Sequence, residues 1–145
     1  MAEREPPQYR LTAGLELVRA LDASSLSPEV AAWIYDDGRE EWRLLLQFKD
    51  GQNKRDALLH IAKVLAERPE IWNGVSMGDI AVVPPDDDAA TALKSVVHTG
   101  GEIGVIPFGP FYANGVYLSS GLAYRVRDPI LIDNAESTTG SSTSV

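Results

Sequence analysis

A chain of 145 residues with 44% apolar and 23% charged side chains has the make-up of one ordinary folded domain. A domain of that length buries about 68–70% of its unfolded surface and needs no covalent staples. The absence of cysteine excludes disulfides, thiol nucleophiles, iron–sulfur clusters and cysteine-ligated zinc, and a net charge of −8 is the reverse of a nucleic-acid footprint.

No apolar run approaches the roughly 20 residues of a membrane helix, and Met1 to Pro7 holds no basic stretch leading into an apolar one. The expectation is a cytoplasmic protein with neither a membrane nor a nucleic-acid partner. Negative charge steers basic partners toward it, and it also simply favours solubility.

Residues 1–8 are rich in Pro and Glu and read as a loose tail. Leu11, Leu15, Val18 and Leu21 recur at helical spacing, which predicts a first helix over 11–23, ended by Ser24 to Pro28. Val30 to Tyr35 reads as a strand, Asp37-Gly38 as a hairpin turn, and the alternation of Trp42, Leu44, Leu46 and Phe48 as a second strand. Trp33 and Tyr35 share the strand face opposite Val30, Ala32 and Ile34. Either both faces of this hairpin are core, or one shows aromatics to a partner.

From Lys54 to Arg68 an apolar stripe of Leu58, Ile61 and Leu65 predicts a second helix, with Asp56, His60, Lys63 and Glu67 on its polar face. Residues 79–83 read as a short strand stopped by Pro84-Pro85. Asp86-Asp87-Asp88 opens a third helix over 86–98, closed by Gly100-Gly101. Ile103 to Ile106 is expected to be a strand, Asn114-Gly115 a turn, and Val116 to Val126 a last strand. Residues 133–145 are polar and Ser/Thr-rich, a composition expected to remain disordered.

The order α-β-β-α-β-α-β-β predicts an α+β domain over 9–132. Its five-stranded sheet is mostly antiparallel, or mixed if the middle strands pair in parallel, and carries three helices on one face.

Gly74-Val75-Ser76-Met77-Gly78 matches the G-x-S-x-G nucleophile elbow, and Asp86 to Asp88 and His98 follow in triad order. The elbow requires a strand entering the serine and a helix leaving it; here a helix precedes and a strand follows. The three Asp are explained by a helix N-terminus and His98 by a helix end. Thr99 to Gly104 is glycine-rich, but joins a helix to a strand, the reverse of a phosphate loop. His60 with Asp56 gives at most two ligands where zinc takes three or four, so no metal and no cofactor is expected.

The segment Ile106-Pro107-Phe108-Gly109-Pro110-Phe111-Tyr112 withholds two backbone donors and offers three aromatic rings. It reads as a stiff loop or irregular edge that either plugs the end of its own core or presents ordered aromatic anchors. Trp72, in the loop after the second helix, is a candidate to join Phe108, Phe111 and Tyr112 in a partner-binding surface. Arg125 and Arg127 are expected on the face opposite Tyr124 and Val126, able to hold an anion.

With each catalytic pattern out of context, the expected function is a non-catalytic protein-interaction or accessory module: an immunity- or antitoxin-like acidic partner of a basic protein, or a homo-oligomer. The alternatives are a small-molecule pocket near His98, Glu102 and Tyr112, and a structural subunit of a larger assembly.

Overall fold

Pro7, at φ −59° and ψ 152°, leads the chain into α1 (Gln8–Ala23), three residues before the apolar periodicity begins at Leu11. The architecture comes from a computed structural model, and the structure describes residues 6–97, 99, 102–113 and 115–127. His98, Asn114 and the tail 133–145 lie outside the described residues.

β1 (Val30–Asp36) and β2 (Glu41–Gln47) form the expected hairpin, with Trp33 opposite Leu44. α2 (Lys54–Glu67) follows, its first N–H groups capped by the Asn53 side chain, which accepts from Arg55 and Asp56. α2 carries the chain across to β3 (Ile80–Val83), which pairs parallel to β2. α3 (Asp88–Val96) is capped by Asp87, whose carboxylate accepts from the Ala90 N–H at 3.0 Å. Then come β4 (Ile106–Phe108), β5 (Phe111–Ala113), β6 (Val116–Leu118) and β7 (Gly121–Val126).

The class and element order are as expected: three helices with a mixed five-stranded sheet, in the order β3-β2-β1-β7-β4. β5 and β6 form a separate two-stranded sheet turning at Gly115, whose φ of +77° is one that L side chains rarely adopt. What reads in sequence as one strand from Val116 to Val126 is thus two, divided at Ser119-Ser120. Pro107 falls in β4, at the edge of the sheet, where a strand tolerates a missing donor.

The expectation that all three helices share one face is corrected. α1 and α2 cover one side, where Leu17, Leu21, Ile61 and Leu65 pack on Trp33, Leu44, Leu46 and Leu122. α3 and the β5–β6 hairpin cover the other, where Ala90, Leu93 and Leu118 pack on Val30, Ala32, Leu45 and Ala123. The reason is in β1: Val30 to Trp33 are all fully buried, as in strands covered on both faces.

A bulge sets the chemistry of β7. Ala32 pairs with Ala123 but Ala31 pairs with Arg125, so Tyr124 is the extra residue. The slip turns Tyr124 and Arg125 toward α1 together and leaves Val126 on the α3 side. Strict alternation places Arg125 opposite Tyr124, and the bulge is the physical reason it does not sit there.

Tyr124 is the centre of a buried network. The Trp33 indole donates to its hydroxyl at 2.9 Å, and that hydroxyl donates to the Leu11 carbonyl of α1. The Arg10 guanidinium lies 4.9 Å over the Trp33 ring. Burial raises the Tyr124 pKa from 10 to about 12. A folded value above the unfolded one holds its full stabilisation below pH 10 and loses it as pH rises toward 12, about 3 kcal/mol for two units. Tyr124→Phe is expected to remove that alkaline step from urea-denaturation midpoints measured between pH 9 and 12.

Candidate interaction surface

The pleat of the β5–β6 hairpin sorts the aromatic segment into two sets. Side chains alternate across a strand, so Phe111, Ala113, Val116 and Leu118 face the core under α3, while Tyr112 and Tyr117 face away from it. Phe108 and Phe111 meet edge to face, centroids 5.8 Å apart and planes at 75°, and are partly buried. Tyr112 and Tyr117 are direct cross-strand partners with centroids 6.4 Å apart. They are 71% and 55% exposed.

The phenylalanines of this segment therefore plug the core, and a tyrosine pair stands on its outer side. The exposed Pro107, within β4, and Pro110, just before β5, stiffen the approach to the pair.

An acidic turn adjoins this face. The Ser119 hydroxyl, two residues beyond Tyr117, donates to the Asp37 carboxylate at 2.7 Å and ties the hairpin to the β1–β2 turn. That turn carries Asp36, Asp37, Glu40 and Glu41. Arg39 pairs with Asp36 and Glu41, and Arg43 with Glu41. Asp37 and Glu40 remain outside those ion pairs. Two exposed aromatic rings beside an acidic rim suit a basic side chain, since a cation over a tyrosine face and a carboxylate within reach reinforce one another.

The other candidate residues are dispersed. Trp72 is 59% exposed, but it sits on the 3-10 turn Pro69–Asn73, whose Ile71 is buried with α1 and α2. It therefore belongs to the layer opposite Phe108, Phe111 and Tyr112. Arg125 is 4% exposed and engaged by both carboxylate oxygens of Asp22, at 2.9 and 2.8 Å, and Arg127 pairs with Glu29 at 3.1 Å. An anion reaching either must compete with a carboxylate. Arg125 in turn holds the Asp22 pKa below its ordinary 3.8 through those hydrogen bonds. Glu102 is exposed, in the connection between α3 and β4.

Ser76 is not poised as a nucleophile: its hydroxyl donates to Asp79 at 3.1 Å, and Asp79 also accepts from the Ser76 N–H. His60 meets the hydroxyl of Ser24, at the end of α1, at 2.7 Å, and that hydroxyl also donates to the Leu21 carbonyl. Among the described residues no carboxylate bonds the other His60 ring nitrogen, so the contact works as a tie between α1 and α2. Among the described residues no three His, Cys, Asp or Glu side chains gather as metal ligands, and no helix is long and apolar enough to cross a membrane.

Tyr117 is the member of the surface that sequence reasoning missed. The signal was present, because counting outward from the Asn114-Gly115 turn pairs 113 with 116 and 112 with 117. In comparisons with known proteins, the chain matches no family model, no curated protein and no solved structure.

Proposed function

We propose that this chain is a non-catalytic interaction module that engages a basic protein partner through the outer face of the β5–β6 hairpin. The observation carrying this reading is the exposed, cross-strand Tyr112–Tyr117 pair beside the acidic β1–β2 turn. Tyrosine supplies large amphipathic contact area at little entropic cost, and a pair on a stiff hairpin loses little further freedom on binding. The net charge of −8 favours encounter with a positively charged surface.

The test uses two matched affinity columns, one carrying the wild-type chain and one carrying Tyr112→Ala/Tyr117→Ala. A basic protein retained by the first at low salt and lost from the second is expected. Because both rings are exposed, the double variant is expected to keep its melting temperature within a few degrees. Identical retention on the two columns would remove the hairpin from the interaction, and a protein held without salt dependence would remove the electrostatic half of the reading.

A further inference from the structure

Polar groups from three separate segments also converge at the end of the sheet where β1 begins and β7 ends. There a cleft of about 230 Å³ is lined by, among others, Ser25, Leu26, Glu29, Phe48, Lys49 and Arg127. That is smaller than the roughly 300–1,000 Å³ of a pocket for a drug-sized molecule, and suits a small metabolite. Phe48 is nearly fully buried and gives the cleft an apolar floor with Leu26. Glu29 and Arg127 form an ion pair on one wall. Lys49 is exposed and makes no ion pair with any described residue. Lys49 and Arg127 thus bring two cations to the lining against the Glu29 carboxylate, with Asp22 within electrostatic reach of Arg127.

The wall at Ser25 is held against its own preference. α1 ends in a Schellman turn, with the Leu26 N–H bonded to the Leu21 carbonyl at 3.0 Å and the Ser25 N–H to the Asp22 carbonyl at 3.3 Å. This motif puts one residue in the left-handed region, where glycine is the usual occupant. The chain has Ser25 there, at φ +71°. A side chain in that region costs roughly 1 kcal/mol relative to glycine. Behind it, the Asp22–Arg125 pair also bonds the Ser27 hydroxyl and fixes the loop before any ligand arrives. The cleft wall is thus ordered, and its left-handed residue carries a hydroxyl where glycine would carry none.

We propose that this cleft binds a small organic carboxylate, its charge met by Lys49 and Ser25 beside the Glu29–Arg127 pair, and its apolar part laid on Leu26 and Phe48. This site is separate from the hairpin face and stands or falls independently of it.

The test titrates the full-length chain with 4-methylpentanoate, 4-methyl-2-oxopentanoate and leucine, and with 4-methylpentanamide as the uncharged match. Binding is read from backbone amide shifts in ¹⁵N-labelled protein. The carboxylates are expected to bind with a Kd of about 1 mM or tighter and to shift Ser25, Leu26, Lys49 and Arg127, while the amide leaves them in place. Lys49→Met is expected to weaken binding about tenfold. Ser25→Gly is expected to weaken it severalfold while raising the melting temperature, which separates lost contact from lost fold. Absence of shifts at about 10 mM, equal shifts from the amide, or undiminished binding by Lys49→Met would each overturn the proposal.

Discussion

Gly14→Ala is expected to destabilise the fold by about 3 kcal/mol, although alanine is the better helix former. An added Cβ at this position would stand 2.6 Å from the Tyr124 hydroxyl oxygen and 2.8 Å from the Trp33 indole nitrogen. Neither atom has room to retreat, since Trp33 and Tyr124 are nearly fully buried and bonded to each other. Overpacking costs about 1–3 kcal/mol, and parting the indole from the hydroxyl leaves buried polar groups unpaired at about 1–3 kcal/mol more. The gain in helix propensity returns only about 1 kcal/mol. Urea denaturation monitored by Trp fluorescence reads the difference. Gly78→Ala is the matched control, because its Cβ would approach only the Ser76 hydroxyl, at 3.8 Å, and little change is expected.

Asp22→Ala is the second large effect, at about 2–3 kcal/mol. It takes both Asp22 hydrogen bonds from a guanidinium that is 4% exposed, while the Ser27 hydroxyl and the Pro28 carbonyl still accept from its NH1 group. Removing one partner of a buried pair costs about 3–5 kcal/mol, and the 28% exposure of the Asp22 side chain lowers the expectation. The pH dependence has a defined sign. A carboxylate held below 3.8 by Arg125 contributes stability that is present above pH 3.8 and lost as pH falls through the lower, folded value. The difference between wild type and Asp22→Ala is therefore expected to hold at neutral pH and to shrink below about pH 4, as read from thermal unfolding across that range.

The three helices and the first hairpin were legible in the sequence because periodicity and stop signals agreed, whereas the strand expected over 103–106 begins only at Ile106. Leu58, Ile61 and Leu65 mark α2, Asp87 caps α3, and Asp37-Gly38 turns the first hairpin. The two-sided burial was less legible, since a four-residue apolar run such as Val30 to Trp33 fits a half-buried strand as well as a fully covered one. The bulge at Tyr124 left no trace in the pattern. A single inserted residue flips every later side chain, so Arg125 counts to the wrong face until the pairing with Ala31 is seen.

For the candidate surface, Pro107 and Pro110 announced an irregular edge and Tyr112 was identified with it. The division of that segment into partly buried Phe111 and exposed Tyr112 depends on which face α3 covers, and that is a tertiary fact. The cleft at Ser25 was out of reach for the same reason, because Ser25, Phe48 and Arg127 meet only after the sheet has formed.

The Tyr112–Tyr117 pair is the proposed contact surface. Its most direct test is isothermal titration of the purified partner against wild type, Tyr112→Ala/Tyr117→Ala and Leu59→Glu, the last altering an exposed leucine of α2 on the opposite layer. Two aromatic anchors at about 2 kcal/mol each predict a loss of 100-fold or more for the double tyrosine variant and wild-type affinity for Leu59→Glu. Wild-type affinity for the tyrosine variant, with binding lost in Leu59→Glu, would contradict the account and move the interface to α2.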